Sequence, residues 1–163
     1  NNIQMARKIS LNSAYGAIGN QYFRYYDKAI AEGITKSGQL SIRWIENRLN
    51  KHLNNILKTD EDYVIASDTD SVYLTLDKLV TKTIKSDNAL SKTINFLDKV
   101  ASESIEPYIT KSYDELKQYT NAFANKMFMK REVIADKGIW VAKKRYILNV
   151  WNSEGVSLSL IHI

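Results

Sequence analysis

The sequence predicts an α+β fold, and three observations carry that expectation. Its first third keeps a helical period with little punctuation, because the whole chain of 163 residues holds one proline and six glycines. Short runs rich in aromatic and β-branched residues follow, joined by polar turns. Helical spacing then returns before a final pair of extended segments, so helices and an antiparallel, hairpin-rich sheet share one chain.

Ile3, Ala6, Ile9, Ser13 and Ala17 recur at intervals of three and four and predict a helix over about 2–18, ended near Gly16 and Gly19. A second helix is predicted over about 29–57, with Ile30, Ile34, Leu40, Trp44, Leu49, Leu53 and Ile56 as its apolar stripe. Gly33 and Gly38 argue for a late start. The acidic turn TDED at 59–62 breaks the period, and residues 63–66 and 72–76 read as two strands joined at SDTDS. Residues 86–119 return to helical spacing through Leu90, Ile94, Leu97, Val100 and Ala101, then Tyr108, Leu116 and Tyr119, with Pro107 dividing two consecutive helices. Residues 127–135 and 139–151 read as strands around a Lys137-Gly138 turn. Both ends look cut, so a fragment is expected. The closing LSLIHI at 158–163 resembles the translation of an adapter used in preparing DNA libraries and is expected to be a non-native tail.

With 44% hydrophobic and 25% charged residues, near one average domain in length, the chain is expected to pack a core. No apolar run approaches the roughly 18 to 20 residues that a membrane-spanning helix needs, and NNIQMARKIS lacks the apolar stretch of a secretion signal. Zero cysteines exclude disulfides, thiolate metal sites and thiol nucleophiles, and two histidines, His52 and His162, exclude a histidine-rich metal site. A reducing compartment, the cytoplasm, is expected. Charge is unevenly spread. From Lys126 to Tyr146 seven bases stand against two acids, which accounts for the whole net charge of +5. Asp60 to Asp77 holds six acids and no base. A basic segment beside an acidic one suggests phosphates and cations handled together.

Three constellations bear chemistry. Asp68-Thr69-Asp70 joins two apolar strands, and alternate residues of an extended chain share a face, so both carboxylates can aim at one point. Oxygen ligands at that spacing suit Mg²⁺, which takes one or two carboxylates and completes its shell with water and phosphate; an Asx-type turn accounts for the same residues structurally. An EF-hand is excluded, since Val72, Tyr73 and Leu79 stand where a ligand, a glycine and a glutamate are needed. In the first helix Lys8, Asn12 and Tyr15 fall one per turn on a single face, which fits either a triphosphate and base site or a solvated polar face. Gly16 beside them lets a ligand approach the backbone. Lys143, Lys144, Arg145 and Tyr146 precede an apolar run, as a strand-borne basic row for a phosphate backbone or as an edge strand protected by lysines.

Taken in order, these three segments resemble the palm region of family B DNA polymerases, in particular the replicative polymerases of T4-like bacteriophages. KISLNSAYG at 8–16 resembles the family's K-x-x-x-N-S-x-Y-G motif of the fingers, SDTDS at 67–71 its D-T-D-S motif, and KKRY at 143–146 its basic motif for primer-template DNA. The resemblance extends over nearly all of residues 1–157. It implies fingers helices at 1–58 and part of the palm at 59–157, with 158–163 set aside. It implies nucleotidyl transfer from a deoxynucleoside triphosphate to a primer 3′-hydroxyl with two Mg²⁺ ions. Asp70 would bridge the ions and Asp68 would stand beside it in the carboxylate cluster. Lys8 would hold the triphosphate, Asn12 and Tyr15 would lie under the nascent base pair with Gly16 in the same nucleotide-binding site, and Lys143, Lys144, Arg145 and Tyr146 would follow the DNA. Glu132 lies in a stretch like the family's carboxylate-bearing palm strand, and Trp140 is assigned to packing. Primer-template DNA and dNTP are the implied partners, with a sliding clamp and replisome proteins reached through missing regions, in the cytoplasm of a host cell. The family's D-x-x-S-L-Y-P-S motif, with the other metal-ligating aspartate, its exonuclease and its thumb are absent from the sequence, so the isolated chain is expected to be inactive. Two other readings remain. A nucleotide-sugar glycosyltransferase explains only Asp68 and Asp70. A non-catalytic nucleic-acid-binding module explains the basic segment and leaves the acids unused.

Overall fold

The computed structural model describes residues 2–84 and 90–157. The expected tail at 158–163 and the first residues of the helical stretch expected from 86 lie outside them. The α+β expectation holds, as helices flank a two-stranded and a three-stranded antiparallel sheet.

α1 (Asn2–Ile18) has the expected bounds but no buried residue, and Leu11 remains 73% exposed. It meets α2 (Lys28–Leu57) near its C-terminal end, where a Cβ at Gly19 would stand 3.7 Å from the Ala31 methyl. Asp27 caps α2, its carboxylate accepting the Ile30 N–H at 3.0 Å. Gly33 and Gly38 therefore lie inside the helix and do not delay it. The stripe also differs from the expected one. Ser41, Ile45, Leu49, Leu53 and Leu57 are buried at every fourth position, while Ile30, Ile34, Leu40 and Ile56 are exposed. Only the second half of α2 has a partner, and that partner selects the face.

The partner is a helical run formed by α4 (Leu90–Val100), a wide π turn (Ala101–Ile105) and α5 (Glu106–Tyr119). Pro107 does not divide two helices. It sits in the first turn of α5, where a missing N–H is tolerated, and the irregularity falls just before it as the π turn. Ile45 and Leu49 pack with Ile105, Ile109, Tyr113 and Leu116. Each such side chain contributes roughly 1.5 to 3 kcal/mol by leaving water. Trp44 Nε1 donates to the Ser112 carbonyl at 2.9 Å, and the Tyr108 hydroxyl donates to the Arg48 carbonyl at 3.2 Å, which fixes the register of the pair.

The end of α2 also holds the first hairpin, β1 (Val64–Asp68) and β2 (Ser71–Leu74). Asn50 and Asn54, one turn apart, reach across to it. Asn50 Oδ1 accepts the Tyr63 and Val64 N–H groups at 2.8 and 3.2 Å, and Asn54 Oδ1 accepts the Glu61 N–H at 2.9 Å. Leu53, Leu57 and Tyr63 close a second small core there. A short helix that periodicity had not indicated, α3 (Asp77–Thr83), follows; Lys82 Nζ donates to the Leu57 carbonyl at 2.6 Å and Lys78 pairs with Glu61.

The last sheet is β3 (Val133–Ala142), β4 (Arg145–Ser153) and β5 (Val156–Ser157). Its turn is Lys143-Lys144, not Lys137-Gly138, and its first strand begins at Val133, not near 127. Gly138 instead faces Leu148 in mid-ladder, where a Cβ would come within 2.7 Å of the Leu148 methyl and the Trp140 ring. A glycine in mid-strand here marks a ring lying across the backbone rather than a turn.

Candidate functional site

At the tip of the first hairpin Asp68 pairs with Ser71, and Thr69 and Asp70 form the turn. Thr69 adopts φ +43°, an uncommon conformation for a β-branched residue. The turn is tied internally. Asp70 N–H donates to the Asp68 carbonyl, the Thr69 hydroxyl donates to Asp68 Oδ1 at 3.0 Å, and the Ser71 hydroxyl donates to the Asp68 carbonyl at 3.1 Å.

The two carboxylates face different surroundings. Asp68 is half-buried and directs Oδ2 at Lys144 Nζ, 3.6 Å away, so the tip of the second hairpin meets the tip of the first. Lys144 also has a positive φ, +61°. Asp70 is exposed and opens onto a cleft of about 370 Å³ lined by Ser41, Tyr113, Lys126, Met127 and Phe128. No hydrogen bond or ion pair engages its carboxylate among the described residues. The expected convergence of both acids on one point is thus only partial. Thr69 bends the chain between them, and Lys144 draws Asp68 to one side.

Behind the tips the hairpins are braced by aromatic rings. Tyr73 of β2 packs edge-on against Trp140 of β3, with centroids 5.5 Å apart, and against Tyr146 of β4 at 5.4 Å. Burial and the hydrogen bond with Tyr146 push the Tyr73 phenol up to about 12. Trp140 therefore packs, as the sequence suggested.

The remaining expected residues are dispersed. Lys143 and Lys144 form a turn, and only Arg145 and Tyr146 stand on a strand, so the basic row becomes a basic tip. A two-residue connection closes the ladder between Ala142 and Arg145 and leaves the lysines beyond it. Lys8, Asn12, Tyr15 and Gly16 all lie on exposed positions of α1, whose principal contact is with α2. A Cβ at Gly16 would meet open space. Glu132 is exposed just before β3, at the base of the second hairpin. Ten residues of β3 separate it from the tip, roughly 30 Å of strand, so it does not join Asp68 and Asp70. Among the described residues no three acidic or histidine side chains gather as a metal group. By donor type the carboxylates of Asp70 and Asp68 fit a hard divalent cation.

Sequence reasoning had not singled out Tyr73, and it took Lys126 and Arg131 only as two of the seven bases of the basic segment. Tyr73 is one aromatic in an apolar strand. Lys126 belongs to the irregular segment 120–132, read partly as strand, and nothing in its spacing points to the cleft.

The amino-acid sequence that builds these two hairpin tips and the helices beside them is similar to known proteins. A family model for DNA polymerase family B matches residues 1–161. The DNA-directed DNA polymerase of Escherichia phage RB69 is 44% identical over 162 aligned residues, covering 93% of this chain and 18% of that relative. The DNA-directed DNA polymerase of Enterobacteria phage T4 is 41% identical over 176, covering all of this chain and 19% of that relative. This chain belongs to DNA polymerase family B. It spans under a fifth of the length of the curated relatives it matches.

Proposed function

We propose that this chain supplies fingers helices (1–58) and part of the palm (59–157) of a template-directed DNA polymerase acting on primer-template DNA and dNTP. The observation that carries the reading is the meeting of the two tips: an acid and a base 3.6 Å apart, beside a second acid that opens onto a cleft. A polymerase needs these charges together, because its substrates are polyanions that arrive with cations.

In this reading Asp70 and Asp68 would hold Mg²⁺, which when bound supplies activation of the primer hydroxyl and neutralisation of the departing pyrophosphate. Lys144 holds Asp68 to one side and keeps its own ammonium beside the DNA, with Lys143, Arg145 and Tyr146 following the backbone. On α1 the Lys8 ammonium meets the triphosphate as a point charge. Asn12 and Tyr15 support the nascent base pair, and the open backbone at Gly16 admits it closely. The primer 3′-oxygen forms the new bond to the α-phosphorus as the α–β bridging bond breaks; pyrophosphate leaves and the hydroxyl proton passes to solvent. The side chains contribute position and charge, with no covalent intermediate. The phage origin of the relatives supports a reading in which this activity works in the cytoplasm of an infected cell, where a clamp and other replisome proteins would be reached through regions beyond this chain.

The test is a chimera in which residues 1–157 replace the matching segment of the T4 polymerase. Primer extension should survive the exchange. Asp70→Asn in the chimera should lower it by about 10³-fold or more, roughly 4 kcal/mol of transition-state stabilisation, while duplex binding without metal is kept. Extension undiminished by Asp70→Asn would refute the assignment, and would leave the basic tip as a DNA-binding element only.

A further inference from the structure

We propose that Arg131 is a positioning residue. Held by Asp98, Asn152 and Glu106, it anchors the base of the β3–β4 hairpin to the helices and thereby aims the Lys143-Lys144 tip at Asp68. Its side chain is 17% exposed. One guanidinium nitrogen pairs with Asp98 of α4, another donates to Asn152 Oδ1 of β4 at 2.6 Å, and the Arg131 backbone N–H donates to Glu106 Oε1 of α5 at 2.9 Å. One residue, two positions before β3, thus ties two helices to β4. Asn152 is itself buried and accepts the Gly155 N–H at 3.1 Å, which links the clamp to the β4–β5 turn.

The π turn makes this grip geometrically available. Asp98 and Glu106 are eight residues apart, which in a regular α-helix is roughly 800° of rotation, or about 80° past two full turns. One residue absorbed by a π turn makes eight residues rotate roughly as seven do, leaving the two within about 20° of one face. The turn lies between them, at Ala101–Ile105, with the Glu106 N–H bonded to the Ala101 carbonyl five residues back. Ala101 and Ile105 are buried in it, so the same irregularity that seats the apolar residues turns both carboxylates to Arg131.

The clamp acts through leverage. From Val133 to Ala142 the hairpin reaches roughly 30 Å, so about 5° of looseness at its base would move the tip by about 2.5 Å. That is enough to break a 3.6 Å contact. The Tyr73, Trp140 and Tyr146 rings brace the hairpin partway along, and the clamp sets the angle at which they meet. That the aimed tip serves DNA rests on the polymerase reading; the aiming itself does not.

Two measurements on this chain keep these apart. Without DNA, fluorotryptophan incorporated at Trp140 and assigned by Trp140→Phe reports the hairpin's position far from the clamp. Arg131→Gln and Asp98→Asn should each shift or broaden that resonance, the double variant no more than either alone, and Arg131→Lys should restore it. With DNA, Lys144→Ala should reduce the salt slope of duplex binding by about one unit, and in the Arg131→Gln background should reduce it no further. Asp98→Asn leaves Arg131 in place and serves where Arg131→Gln does not fold. An unchanged Trp140 resonance, or fully additive Arg131 and Lys144 effects on the slope, would overturn the proposal. A resonance that moves while Lys144→Ala itself leaves the slope untouched would uphold the clamp and refute the tip's role in DNA binding.

Discussion

His52 shows how one side chain's surroundings set a measurable property. Its ring stacks on Tyr108 with centroids 3.9 Å apart, and Nε2 is buried without a hydrogen-bond partner among the described residues. Burial lowers its pKa from the ordinary 6.5. Below pH 6.5 the unfolded chain therefore binds more protons at His52 than the folded chain does. Stability attached to His52 is complete above pH 6.5 and is lost as pH falls from there toward the depressed folded value. The urea midpoint of the chain should fall between pH 7 and pH 5.5, and His52→Phe, which keeps the stack, should remove part of that fall. A variant with an unaltered pH dependence would refute the assignment. Nothing in the sequence around His52 announces this, because Tyr108 lies 56 positions away. Asp68 and Asp70 are the opposite case, since two acids between apolar runs are conspicuous in the sequence while the direction each one takes is not.

At the scale of elements, the second hairpin separates what pattern conveys from what it misses. Lys-Gly looked like a turn because glycine commonly marks one. In the structure Gly138 is a cross-strand neighbour of Leu148 with the Trp140 ring over it. Gly138→Ala should displace that ring and cost about 1 to 3 kcal/mol by overpacking, read from urea unfolding. The Trp140 contacts with Tyr73 should weaken in step, as a change in near-ultraviolet circular dichroism. A fully stable variant with an unchanged aromatic spectrum would show that the ring does not depend on the missing Cβ. α2 carries a similar lesson. Its existence and end were legible, and its buried stripe was half wrong, because a helix with apolar residues on several sides presents whichever face its neighbour covers. The π turn was legible only as an irregularity near Pro107.

Across the whole molecule, the core joins α2 to α5, the first hairpin is mounted on α2, and the second hairpin meets α4 and the first hairpin, while α1 stands largely exposed. The α1 face with Lys8, Asn12 and Tyr15 is consequently not closed over Asp70 by contacts within the chain. Among the described residues the carboxylates near the cleft are too few to form a metal group. Residues 1–157 alone should give no primer extension with Mg²⁺ on a primed template. Template-dependent incorporation above that of an Asp70→Asn control would overturn this expectation.

The sequence by itself determined the α+β class, the bounds of α1, the presence of α2 and the acidic hairpin, and three motifs in order that were sufficient for the family. Those signals are local: periodicity, turn chemistry and runs of side chains that neighbours in the chain already define. Only the tertiary structure decided which face of α2 is buried, that Lys143-Lys144 is a turn, that Lys144 reaches Asp68 while Asp70 opens to the cleft, and that Arg131 binds helices to β4. All but the turn depend on partners roughly ten to eighty residues away in the chain, brought together by packing. Local pattern fixes what a residue offers, and packing fixes what it meets.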